Sequence, residues 1–162
     1  MVGLIRGKAF QRIIESALPK GISTFEQCKI PLAVSAYSIS GLKTVVINEG
    51  SLSLGIRASC TFPLLFQPVW HPEGVLVDGG VQDSLGLYSV PAEGEGHKRV
   101  LNISIGLRDD LAKYGSPKHF SKKEIVHLTL KDLPRPHPFA MDRGKAALDF
   151  AYEQVKLLIE GE

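Results

Sequence analysis

Asp78-Gly79-Gly80 sets an acid on a sharp glycine turn directly after the apolar run Val75-Leu76-Val77, with Arg57-Ala58-Ser59-Cys60-Thr61-Phe62-Pro63 upstream. A carboxylate fixed at a strand end can hold and deprotonate a hydroxyl, then return the proton to a leaving alcohol. Gly79 and Gly80 carry no side chains, so a nucleophile can come close. The same tripeptide also fits a plainer role, in which an Asp opens a glycine turn and its carboxylate accepts backbone N–H bonds. Taken alone it does not choose between the two.

Other groups capable of chemistry give weaker patterns. His71, His97, His119, His127 and His137 never fall at the i, i+4 or short loop spacings that build a metal site, so none is expected. Cys28 and Cys60 lack metal-ligand spacing and are expected as free thiols. Lys113, Tyr114, Lys118, His119, Phe120, Lys122 and Lys123 form a basic, aromatic-flecked stretch that reads as a solvated loop, with contact to anionic lipid as the sharper alternative.

The elements that must hold these residues follow from periodicity. Phe10, Ile13, Ile14, Ala17 and Leu18 make one helical stripe ended by Pro19 and Gly21. Residues 32–39 are apolar on both alternating faces, as in a strand covered on two sides, and Gly41 turns the chain toward a second strand at 44–47. Residues 48–51 offer turn and N-cap types before a short helix over 52–58, stopped before Pro63. Short extended pieces follow at 66–69 and 75–77, a glycine- and glutamate-rich loop at 91–97, and a central strand at 100–105. From 108 to 123 the chain is polar and basic, and Pro134, Pro136 and Pro138 mark an extended connection. Leu148, Ala151, Tyr152, Val155 and Ile159 line a terminal helix. Strands alternating with helices, without an internal repeat, predict an α/β layered domain.

Composition sets the outer limits. The chain has 162 residues, 44% of them hydrophobic and 22% charged, enough for one ordinary core. A net charge of +2 is too small for a dedicated nucleic-acid surface. No apolar run reaches the roughly 18 to 20 residues of a membrane-spanning helix, and residues 1–7 meet charge and glycine too early for a signal peptide. The expected location is therefore cytoplasmic or peripheral to a membrane.

The longer string 57–69, Arg57-Ala58-Ser59-Cys60-Thr61-Phe62-Pro63-Leu64-Leu65-Phe66-Gln67-Pro68-Val69, followed by Gly74-Val75-Leu76-Val77-Asp78-Gly79-Gly80-Val81-Gln82-Asp83, resembles the patatin-like phospholipase family. Pro31-Leu32-Ala33-Val34-Ser35-Ala36 is similar to that family's preceding strand, and Gly144-Lys145-Ala146-Ala147 to the start of its late helix. The resemblance implies that residues 1–162 are a single incomplete domain, the C-terminal portion of a three-layer α/β/α fold with a mostly buried central sheet. It also implies lipid acyl-ester hydrolysis by a Ser–Asp dyad without a cofactor, on a phospholipid or other acyl lipid, with peripheral membrane contact. Asp78 matches the dyad's base, and Gly79 and Gly80 its turn.

The resemblance also implies a glycine-rich oxyanion loop and a Gly-x-Ser-x-Gly elbow ahead of this region, and the 162 residues contain neither. In Gly50-Ser51-Leu52-Ser53-Leu54-Gly55 the glycines stand one residue too far apart, and Asn102-Ile103-Ser104-Ile105-Gly106 lacks the first glycine. An elbow needs a strand, a strained turn and then a helix, whereas Ser53 follows a turn and Ser104 falls within a strand. No nucleophile is assigned. After the acid, Asp83-Ser84-Leu85-Gly86 replaces the family's usual Asn-Leu-Pro, a change expected to affect turn shape more than chemistry. The expectation is a base without its serine, hence an inactive polypeptide; the alternative is a lipid- or protein-binding remnant of the domain.

Two strands read as buried on both sides would leave an edge and apolar faces uncovered without upstream neighbours. Expressed alone, the chain should be marginally soluble, and a monodisperse monomer in size-exclusion chromatography that melts cooperatively would contradict this.

Overall fold

The computed structural model describes residues 3–90, 99–104, 124–130, 132–134 and 142–160. They belong to two compact units, Met1–Ala92 and Glu93–Glu162, each described by itself. Together they contain helices and both parallel and antiparallel sheets, so the chain is α/β.

The first unit begins with β1 (Gly3–Ile5) and α1 (Lys8–Ala17). The packed side of α1 is not quite the apolar stripe: Phe10, Gln11 and Ile14 are half-buried, while Ala17 is exposed and Ile13 is 63% exposed. The neighbour decides this. α1 packs on α2 (Leu52–Ser59), and polar Gln11 takes a place in the seam, where its amide meets Ser53 Oγ at 3.4 Å and Arg57 Nη1 at 3.1 Å. Phe10 stacks on Phe66 with ring centroids 6.0 Å apart.

Between these helices the chain forms β2 (Val34–Ser38) and β3 (Lys43–Ile47), and after α2 it forms β4 (Leu64–Phe66), β5 (Val69–His71) and β6 (Gly74–Asp78). Four of the strands make one antiparallel sheet in the order β3-β2-β6-β5. β1 and β4 form a separate parallel pair, with Gly3 opposite Leu64 and Ile5 opposite Phe66. The expected strand at 32–39 is shorter than its apolar run, since Leu32 and Ile39 lie outside β2 and are exposed. Its two faces also differ. Ala36 and Ser38 are fully buried on one face, whereas Ser35 and Tyr37 on the other are half-covered. The pieces at 66–69 and 75–77 resolve into β4, β5 and β6, the last two joined by a tight Pro72-Glu73 turn.

The core of this unit lies between the sheet and α2. Leu52, Gly55 and Ala58 come to one face of α2, which rests on β2 and β6, and Phe25, Ala36, Val45, Ile47, Val69 and Leu76 complete the cluster. Ser51 caps α2 by accepting a hydrogen bond from Leu54 N. Gly55 is required by proximity, because a Cβ there would stand 2.6 Å from the buried Phe25 ring.

In the second unit β7 (Arg99–Ser104) and β8 (Glu124–Thr129) pair in parallel, and α3 (Arg143–Glu160) closes the described chain. The strand expected at 100–105 begins one residue earlier, and residue 105 lies outside the described residues. Leu101 and Ile103 are 61% and 55% exposed, against the expectation of burial on both sides. β8 was not expected at all. α3 is where the apolar spacing placed it, but Gly144, Ala147, Ala151, Gln154 and Val155 are its half-buried positions, while Leu148 and Tyr152 are exposed. The loop at 91–97, the basic stretch at 108–123, and Pro136 and Pro138 lie outside the described residues.

Gly55→Ala should lower stability by about 1–3 kcal/mol through overpacking, despite alanine's better helix propensity of up to about 1 kcal/mol. Thermal unfolding followed by circular dichroism at low concentration checks this, and Phe25→Leu in the same chain should recover part of the loss.

Candidate active site

Asp78 stands at the end of β6, a strand with neighbours on both sides, and pairs across the sheet with Ala36 of β2. The pleat puts its side chain on the same face as Leu76, the face covered by α2. Val77 and Leu76 are buried and Asp78 is half-buried, so the acid marks where the core gives way to the surface.

The turn after it fixes one carboxylate oxygen. Asp78 Oδ1 accepts a hydrogen bond from Gly80 N at 2.8 Å and caps the short 3₁₀ turn Gly79–Val81. Among the described residues, Oδ2 has no hydrogen-bond partner. The plain reading of the tripeptide, an acid opening a glycine turn, is thus realised through Oδ1. Gly80 is exposed. Gly79 is buried hard against β2, where a Cβ would meet Ser35 O at 2.4 Å. No residue with a side chain fits at 79 unless the backbone shifts.

The upstream string meets Asp78 through the end of α2. Asp78 N donates to Thr61 O at 2.8 Å, and Thr61 is 1% exposed with its hydroxyl donating to Arg57 O at 2.7 Å. Arg57 in turn donates to Gln11 Oε1 at 3.1 Å and to Arg6 O at 2.7 Å, which ties α2 to the start of α1. Its Nε is buried without a hydrogen-bond partner.

Cys60, the C-cap residue of α2, is exposed as a residue, yet its thiol is partly desolvated. Burial first, and the negative charge of Asp78 second, push its pKa up. A raised pKa lowers the thiolate fraction at neutral pH, and the thiolate is the nucleophilic form.

Asp83 is a residue whose importance the sequence understated. It is 7% exposed, and its two oxygens accept from Leu87 N at 2.9 Å and Tyr88 N at 3.2 Å. Its own N–H donates to Gly79 O at 2.8 Å. A buried carboxylate satisfied by two amides therefore pins the following loop behind the glycine turn. The Asp-x-x-x-Leu-Tyr spacing was a readable signal, since Asp commonly accepts amide bonds a few residues downstream.

Of the serine candidates, Ser53 is engaged in a different contact. Ser53 is 5% exposed within α2 and donates to Glu15 Oε1 at 3.1 Å, in the helix–helix seam and on no strand-to-helix elbow. Ser104 ends β7 in the second unit, and its side chain lies outside the described residues. Of the histidines, His71 accepts from Glu73 N through Nδ1 in the β5–β6 turn. His97, His119 and His137 fall outside the described residues, as does the side chain of His127. No described helix is long and apolar enough to cross a membrane.

A model of the patatin-like phospholipase family matches residues 3–90, more than half of the chain, and that span includes α2, Thr61 and the whole Asp78 turn. The chain belongs to the patatin-like phospholipase family. The resemblance carried by residues 57–83 is therefore correct, and the family's lipid-hydrolase character is the frame for this site.

Asp83→Ala should cost about 1–3 kcal/mol for the buried amides left unpaired. The loss should show as a lower midpoint in chemical denaturation together with faster amide exchange at Leu87 and Tyr88.

Proposed function

We propose that Asp78 is the proton acceptor of a Ser–Asp dyad that hydrolyses acyl esters of phospholipids or other lipids, and that residues 1–162 supply only this half of the dyad. The serine hydroxyl adds to the ester carbonyl as its proton passes to Asp78 Oδ2. The proton then goes to the departing alkoxide as the tetrahedral adduct collapses to an acyl-enzyme. Water adds to the acyl-enzyme in a second round as its proton passes to Asp78, and Asp78 returns that proton to the departing serine oxygen as the fatty acid is released. Backbone N–H groups must stabilise the oxyanion in both steps.

The observation that carries this reading is the state of the Asp78 carboxylate. Oδ1 is anchored by Gly80 N at 2.8 Å, and Oδ2 is left unbonded among the described residues, at a half-buried strand end inside the family match. A base of this kind is oriented without having its acceptor capacity used up. The 162 residues carry no Gly-x-Ser-x-Gly and no glycine-rich oxyanion loop, so on this proposal the polypeptide is inactive by itself. Peripheral contact with a membrane surface is part of the proposal. Phe62, Leu64 and Trp70 support it, at 62%, 71% and 67% exposure.

The polypeptide alone should form no adduct with a fluorophosphonate probe and release no p-nitrophenol from short acyl esters. Fused behind a segment of a related domain that carries the glycine loop and the serine elbow, it should gain both activities. Asp78→Asn in that fusion should then lower kcat by roughly 10²–10⁴-fold. Probe labelling of the unfused chain, or an active Asp78→Asn fusion, would refute the assignment.

A further inference from the structure

The acid is held by more than its own turn. Beyond Leu76, where β5 no longer runs beside β6, the ladder on that side ends, with Val69 opposite Leu76 as its last pair. Asp78 N nonetheless has a partner, the Thr61 carbonyl at 2.8 Å, so the end of α2 takes over where the sheet stops. That carbonyl is itself fixed. Thr61 is 1% exposed, its Oγ1 donates to Arg57 O at 2.7 Å, and its N–H donates to Ala58 O at 3.1 Å. All three polar groups of Thr61 are therefore committed, two of them to the last turn of α2 and the third to Asp78.

We propose that Thr61 is the positioning residue of the dyad acid: its hydroxyl locks the last turn of α2, so that its carbonyl holds the Asp78 main chain and sets where the carboxylate stands. The hydroxyl is the decisive part, because any residue offers a carbonyl but only Ser or Thr at this position closes the bond to Arg57 O. Arg57 is braced on Gln11 and Arg6, so the acid is linked through Thr61 to the α1–α2 seam. The catalytic meaning of this inference rests on Asp78 being the base, whereas the positional claim can be tested without any activity.

Cys60 supplies the readout, since its thiol senses the Asp78 charge. In a Cys28→Ser background, the rate of Cys60 alkylation by iodoacetamide is followed against pH. Asp78→Asn should raise that rate near neutral pH by on the order of two- to fivefold, the size that a unit charge a few ångström away gives in high dielectric. In Thr61→Val the same Asp78→Asn step should lose most of its effect, and Thr61→Ser should restore it. Native-state exchange of the Asp78 amide is measured in parallel, and it should quicken in Thr61→Val relative to the Val77 amide, and not in Thr61→Ser.

An undiminished Asp78→Asn effect in Thr61→Val, with an unchanged Asp78 amide, would overturn the proposal. If Cys60 does not respond to Asp78→Asn at all, the Asp78 amide decides, and an amide that does not quicken in Thr61→Val relative to Val77 overturns the proposal. If Thr61→Val unfolds, every amide quickens together; Thr61→Ala then replaces it, with the same two outcomes deciding. In the serine-bearing fusion, Thr61→Val should lower kcat with KM little changed, and Thr61→Ser should recover it. Should the fusion prove inactive while the thiol and amide results hold, the function assigned to Asp78 fails and the positional inference stands.

Discussion

The hydrogen bond from Asp78 N to Thr61 O is the constraint on which the rest of the site depends. It joins the last residue of a paired strand to the end of the helix that covers the sheet, two points 17 residues apart in sequence. A single net hydrogen bond contributes only about 1 kcal/mol, so its importance lies in geometry. With the amide fixed, the one soft direction left to Asp78 is its side chain, and Gly80 N removes most of that freedom. The result is a carboxylate oriented by main-chain donors and acceptors.

Much of this was legible in the sequence because the relevant signals are local. Val75-Leu76-Val77 followed by Asp-Gly-Gly is a strand running into a turn, and β6 and the turn lie where that pattern puts them. α2 likewise follows from Ser51 as cap and from Leu52, Ile56 and Ala58 ahead of Pro63. What could not be read depends on partners distant in sequence. Gln11 displaces Ile13 from the packed side of α1 because Ser53 and Arg57 lie opposite it, and no periodicity within residues 8–17 encodes that. Leu32 and Leu101 are apolar without being buried, since composition tells which faces can be covered and only the tertiary neighbours tell which are. Asp83 was visible as a departure from the usual turn, but the two amides that give it a purpose come from Leu87 and Tyr88, through a fold of the loop that the sequence states only weakly.

The seam between α1 and α2 is polar where a simple amphipathic pairing would be apolar. Arg57, Gln11, Ser53, Glu15 and Ser51 form a connected set of hydrogen bonds along it. Ser53 is therefore explained without catalysis: its hydroxyl satisfies Glu15 and Gln11 in a half-buried network, as buried polar groups must be. The same set carries rigidity from the first helix to Arg57 and hence to the end of α2.

Two of the tightest approaches in this unit are made to carbonyl groups. Arg57 reaches the carbonyl of Arg6, and Gly79 is closed in by that of Ser35. A carbonyl is present whatever the side chain, so a substitution at position 6 leaves a carbonyl for Arg57 to reach, whereas Gly79 admits no side chain without a backbone shift. Much of the shape around Asp78 is thus written in the backbone and not in the side chains it carries.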